Sequence, residues 1–136
     1  SPSAGSHAKV DTLVSDIYGS DYGSAKLIGD CVAGSLGKLS FESSTADAID
    51  GVLFMLASNM AHLLSLYASI QGVKEIVLSG SLSTIKGFQC AFEESMKYYD
   101  VNASLSFKFH QKSAHLGCLG IIHQLSQENP KKRGVK

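Results

Sequence analysis

The chain lacks an excess of charge of either sign: Lys plus Arg number 12 and Asp plus Glu 12 across 136 residues. A balanced surface carries no electrostatic footprint for nucleic acid or an anionic membrane, so neither is expected as a partner. Long apolar runs are scarce too. The longest are broken by Ser, Asn and His before the ~20 residues that a membrane-spanning helix needs, so no span is expected. Cysteine is limited to Cys31, Cys90 and Cys118, far apart and without a CxxC pair. That spacing, with no leader-like opening, argues against a disulfide framework. Reduced thiols serving as core fillers in a cytoplasmic protein are expected instead.

What is present describes an ordinary soluble globule, 44% hydrophobic and 18% charged. The length suits about one domain and is too small for a two-lobed enzyme. The expected division is a disordered opening over 1–9, a folded lobe over 10–127 and a basic disordered tail over 128–136, the tail carrying Lys131, Lys132 and Arg133.

Between these ends the pattern alternates. Val10, Leu13, Val14 and Ile17 have helical spacing, and Ile28, Val32, Leu36 and Leu39 suggest a short helix weakened by Gly29, Gly34 and Gly37. Ser44-Thr45-Ala46-Asp47 fits the capping-box pattern, and Ile49, Leu53, Leu56, Met60, Leu64 and Tyr67 continue one long helix to Gly72. Val52, Met55, Leu63 and Leu66 make that helix apolar on more than one side, which calls for cover by its own sheet or by a second subunit. Within it, Asn59 and His62 are interface or hydrogen-bonded core residues.

Glu75 to Ser79 reads as a buried strand that ends in Ser79-Gly80-Ser81 and passes into a helix from Ser83. A strand delivering its carboxyl end into a glycine turn and a helix N-terminus has the geometry of a nucleotide site, and equally that of a plain tight turn. Ile85, Phe88, Phe92, Met96 and Tyr99 mark one face of this second helix. Leu105, Phe107 and Phe109 alternate as a strand, and a final helix from Ser113 presents Gly117 and Gly120 for close packing. The expected fold is therefore α/β, in the order α-β-α-β-α around a small parallel sheet. Two strands are too few to stand alone, which suggests a piece of a longer polypeptide. GxSxG spacing is absent around Ser79, Ser81 and Ser83, so a serine hydrolase is disfavoured. His110, His115, Cys118 and His123 invite a zinc reading, although Cys118 is better explained as a small residue beside Gly117.

Five words resemble, in order, the C-terminal part of a type II (eukaryotic-type) pantothenate kinase, a family of the actin-like and sugar-kinase ATPase superfamily. Asp16-Ile17-Tyr18-Gly19-Ser20-Asp21-Tyr22 matches the family's Asp-Ile-Tyr-Gly-Gly-Asp-Tyr. Val32-Ala33-Gly34-Ser35-Leu36-Gly37 stands for Val-Ala-Ser-Ser-Phe-Gly, and Ser58-Asn59-Met60-Ala61 for Asn-Asn-Ile-Gly. Val77-Leu78-Ser79-Gly80-Ser81 stands for Val-Phe-Val-Gly-Asn, and His115 to Gly120 for Tyr-Phe-Gly-Ala-Val-Gly.

The resemblance implies part of the second lobe of that superfamily fold. It implies ATP-dependent phosphorylation of pantothenate, with Mg²⁺ on the phosphates and acyl-CoA as inhibitor at the same cleft. It also implies a homodimer through helix 45–71. By match, Ser79, Gly80 and Ser81 would meet the nucleotide, while Tyr18, Gly19, Tyr22, Val32, Ala33 and Tyr99 would line the pantothenate and acyl-CoA pocket. The family's Gly-rich loop, catalytic glutamate and carboxylate-binding arginine have no counterpart here, so the fragment alone is expected to be inactive. The departures at Ser58, Ala61 and Ser81 favour a rival reading, an inactive kinase-like regulatory or scaffolding subunit that binds nucleotide or acyl-CoA or pairs with an active kinase chain.

Overall fold

The computed structural model describes residues 5–19, 29–100, 104–110 and 115–128. In chain order these form β1 (Thr12–Leu13), α1 (Val14–Tyr18), β2 (Val32–Gly34), α2 (Thr45–Gln71), β3 (Glu75–Leu78), α3 (Lys86–Tyr99), β4 (Ser106–Phe109) and α4 (Leu116–Glu128). Two separate two-stranded sheets result. β1 and β2 pair antiparallel, while β3 and β4 pair parallel, Glu75 opposite Ser106 through Leu78 opposite Phe109.

α2 is the axis of the molecule. The Ser44 hydroxyl accepts from the Asp47 backbone N–H at 3.1 Å, satisfying one of the free donors of the first turn. At the other end Gly72 adopts φ +66°, the left-handed conformation that closes a helix without a Cβ penalty. Between these stops lie 27 residues, about 40 Å at 1.5 Å per residue.

α2 packs mainly against α3. Ala57 and Ala61 on α2 are fully buried, and their small side chains leave room for Phe88 and Phe92 of α3, themselves 1% and 0% exposed. Phe92 in turn meets the strands edge-on, with ring centroids 5.4 Å from Phe107 and 5.8 Å from Phe109. Each phenyl ring buried in this way contributes about 1.5–3 kcal/mol, so the aromatic cluster fixes β4, and through it β3, against the helix pair.

Several sequence expectations are corrected. The helix read over Val10 to Ile17 survives only as α1, because Thr12 and Leu13 are extended and pair with β2. Of the glycine-weakened helix read over Leu27 to Leu39, the described part, 29–39, is instead strand β2 followed by a turn in which Leu36 has φ +58°, and residues 27 and 28 lie outside the described residues. Three glycines in that short span cost a helix about 1 kcal/mol each, and the ladder to β1 offers the backbone a better set of partners. α3 begins at Lys86 and not Ser83, because Leu82–Thr84 form a 3-10 turn.

Residues 5–9, placed outside the lobe by composition, are part of it. The Ser6 N–H donates to Asp47 Oδ1 at 2.8 Å and the His7 N–H to Asp50 Oδ2 at 2.9 Å. Fully buried Asp11 then accepts from the Leu36 N–H at 2.7 Å and pairs with His7 Nδ1 at 3.1 Å. Gly51 makes this docking possible: a Cβ there would lie 2.6 Å from Val10 Cγ2 and 2.8 Å from Leu36 Cδ2. Residues 129–136 of the expected tail lie outside the described residues.

Asp47 joins the opening segment to the cap of α2, and its carboxyl is held below the usual range by the Ser44 hydroxyl first, then by the Ser6 N–H and Lys9. A carboxylate with a depressed native pKa stabilises the fold above its ordinary pKa of about 4, and that contribution disappears as pH falls through the native value. Asp47→Asn is therefore expected to lower the thermal midpoint at neutral pH and to flatten the loss of stability below pH ~4. Parallel acid limbs for variant and parent in a melting series would contradict this role.

Candidate functional site

α2, α3 and the turn before β2 enclose a cleft of about 520 Å³, within the size range of small-molecule sites. α2 supplies Phe54 and Ser58, one helical turn apart. α3 supplies Cys90, Glu94 and Tyr98 at four-residue steps, together with Glu93, Lys97 and Tyr99. The third wall is Asp30, Cys31 and Val32. This wall is held in place by the backbone, because the Val14 N–H donates to the Cys31 carbonyl at 2.8 Å and the Ser15 N–H to Gly29 at 3.0 Å.

Tyr99 is fixed from two sides. Its hydroxyl lies 3.2 Å from Ser58 Oγ, and its ring stacks on His62 with centroids 4.6 Å apart and planes within 8°. Tyr98 is pushed up to about 12, by burial first and then by a hydrogen bond with Cys31. Three carboxylates, of Asp30, Glu93 and Glu94, face one ammonium, that of Lys97. The lining is therefore net acidic, with an apolar component from Phe54, Val32 and the tyrosine rings.

The residues singled out from sequence divide into separate places. Val32 and Tyr99 share the cleft. Tyr18 stands half-exposed at the end of α1, followed by Gly19 at φ +75°, and Ala33 points outward from β2. Tyr22 lies outside the described residues. Ser79, Gly80 and Ser81 sit beyond the carboxyl end of β3, and none of them lines the cleft. The neighbouring hydroxyls are committed to closing that turn: Ser83 Oγ donates to the Gly80 carbonyl at 2.8 Å and Thr84 Oγ1 to the Ser81 carbonyl at 2.7 Å.

The cysteines are not core fillers, since Cys31 is half-buried and Cys90 and Cys118 are exposed. Among the described residues no three His, Cys, Asp or Glu side chains are grouped to hold a metal ion, so the zinc reading finds no support in them. Sequence reasoning missed Cys31, Phe54, Cys90, Glu94 and Tyr98 as neighbours. The four-residue period of Cys90, Glu94 and Tyr98 was visible, but nothing local says which helix faces it.

A mixed α/β unit with a ligand-sized cleft between two helices is the class of protein that the geometry defines. The model of the family described as Fumble matches residues 2–124, and the chain belongs to that family. It is 29% identical over 136 residues to the 4'-phosphopantetheine phosphatase of Mus musculus, an alignment that covers 94% of this chain. The chain spans 16% of that relative's length.

These findings correct the assignment to the pantothenate kinases. The similar protein is an enzyme, but its name is that of a phosphatase, which removes phosphate and does not transfer it from ATP. The ATP-dependent phosphorylation of pantothenate is overturned, and the rival of an inactive kinase-like subunit gains no support from this relative. ATP and Mg²⁺ were implied by the kinase resemblance, which these findings overturn.

Removing the Ser58 hydroxyl leaves Tyr99 without its partner across the helix pair. Ser58→Ala is expected to cost about 0.5–1.5 kcal/mol and to loosen the Tyr99 ring, read as a lower midpoint in urea and as sharper averaging of the Tyr99 ring signals in NMR. Unchanged values for both would show that this contact does not hold the wall.

Proposed function

We propose that this chain is the pantetheine-recognising part of a longer protein of the 4'-phosphopantetheine phosphatase type, acting in coenzyme A metabolism. The observation that carries the reading is the alignment of 94% of the chain with a relative of that name. The cleft adds chemical support. A pantetheine arm is neutral, carries two amides and ends in a thiol. Phe54, Val32 and the two tyrosine rings suit its apolar stretches, while Ser58 and the phenols suit its amides. The phosphate of 4'-phosphopantetheine is a poor guest among three carboxylates, so the arm enters and the phosphate projects outward. The hydrolysis itself belongs to the longer protein.

α2 supplies a second part of the proposal, pairing with another copy of the chain. Ile49, Val52, Leu56, Met60, Leu63, Tyr67 and Ile70 are all exposed, from 36% at Met60 to 78% at Ile70. Their steps of three and four residues average the 3.5-residue period of a helix–helix seam. α2 is also, among the described residues, the one helix long and apolar enough to cross a bilayer. Its opposite face, however, is already seated on α3.

Pantetheine should raise the thermal midpoint of the chain and bind with millimolar or better affinity by calorimetry, and Tyr99→Ala should weaken it about tenfold or more. Glu94→Gln should favour 4'-phosphopantetheine over pantetheine by removing a like charge. Light scattering should report a dimer that Leu63→Glu converts to a monomer. No binding of either compound would end the ligand reading; a monomeric parent chain, or one that floats with lipid vesicles, would end the pairing.

A further inference from the structure

We infer that His7 is a positioning residue for the ligand cleft, its imidazole holding Phe54 as the partition between that cleft and the cavity beside it. The inference rests on the pantetheine reading above and adds the residue that fixes one of its apolar walls. A second cavity of about 350 Å³ lies against α2 and the start of α3, with His7, Asp50, Lys86 and Ala91 in its lining. Phe54, Cys90 and Glu94 line both hollows, so they form the boundary between the two. A half-buried phenyl ring with open volume on both sides is not fixed by close packing alone. What fixes it is His7, whose ring lies flat on Phe54 with centroids 3.8 Å apart and planes within 8°.

His7 is itself held from two directions. Its backbone N–H donates to Asp50 Oδ2 at 2.9 Å, one helical turn before Phe54 on α2. Its Nδ1 pairs at 3.1 Å with Oδ2 of fully buried Asp11, whose other oxygen accepts from the Leu36 N–H at 2.7 Å. The ring cannot turn away from Phe54 without leaving a buried carboxylate oxygen unpaired, which is costly. His7 does not line the larger cleft, so it acts on a ligand there only through Phe54.

The stack and the bond to Asp11 do different things, and substitution separates them. Asparagine places a donor where Nδ1 stands but offers no ring, so Phe54 becomes free to turn toward the second cavity and the cleft loses an apolar wall. Phenylalanine keeps a ring on Phe54 but offers no donor, so the buried Asp11 oxygen is stranded and the fold is weakened while the wall stays in place.

The test compares the 136-residue chain with its His7→Asn and His7→Phe variants. His7→Asn should weaken pantetheine about fivefold by calorimetry and keep a thermal midpoint close to the parent's. His7→Phe should lower the midpoint and restore the affinity. In the ligand-free proteins, scalar couplings across the Phe54 Cα–Cβ bond should report a single rotamer in the parent and in His7→Phe, and averaging over rotamers in His7→Asn. Equal affinity of parent and His7→Asn, or affinities that merely follow the midpoints, would overturn the inference. A parent that binds no pantetheine ends the pantetheine reading alone; the couplings then decide the role of His7, and a Phe54 rotamer unchanged in His7→Asn overturns it.

Discussion

The contact of Ala57 and Ala61 with Phe88 and Phe92 is the constraint on which the rest of this structure depends. Two alanines one turn apart let α3 lie close to α2, and the space they leave is filled by two phenyl rings from the facing helix. Phe92 also meets Phe107 and Phe109 of β4, so one packing event places both helices and the parallel pair β3–β4. It also aims the other side of α3. With Phe88, Phe92 and Met96 turned inward, the stripe of Cys90, Glu94 and Tyr98 must face the wall formed by Cys31 and Val32. The cleft is a by-product of the core.

Electrostatics then narrows what the cleft accepts. A phosphate-binding site gathers backbone amides or cations, as at the N-terminus of a helix. Here the lining carries more carboxylates than ammonium groups, and the turn that could be read either as a nucleotide site or as a plain tight turn is closed by its own serine and threonine hydroxyls. Both observations sit comfortably with a site for a neutral arm. The resemblance to a kinase was carried by short words spread along the chain, and the family match and the phosphatase relative overturn it.

Much apolar surface remains uncovered. Val77 is 66% exposed on β3, although parallel strands are normally covered on both faces. α4 exposes Leu119, Ile121, Ile122 and Leu125, and nothing lies within 4 Å of where a Cβ would stand on Gly117 or Gly120, so the close packing expected of that small-residue edge is not found. The relative is several times longer than this chain. Two short sheets, a bare strand and an apolar surface helix thus leave apolar area open among the described residues.

Legibility in the sequence followed the range of the interactions. Ser44 and Asp47 at the start of α2 and Gly72 at its end act over three or four residues, so both stops could be read directly. The inward face of α3 was readable for the same reason, since Phe88, Phe92 and Met96 repeat with the helical period. The region from Val10 to Leu39 was misread because β1 and β2 are held by each other, and the segments around them by the Asp11–Leu36 and Lys38–Val10 bonds, between partners roughly twenty or more residues apart. Local spacing cannot express a ladder between distant short strands. Sequence by itself determined where the long helix starts and stops and which rings of α3 turn inward, because a cap and a period are local. Only the tertiary structure decided that Cys31, Ser58, Tyr98 and Tyr99 wall one cleft, because their meeting depends on two helices and a turn packing together, which no single stretch of chain specifies.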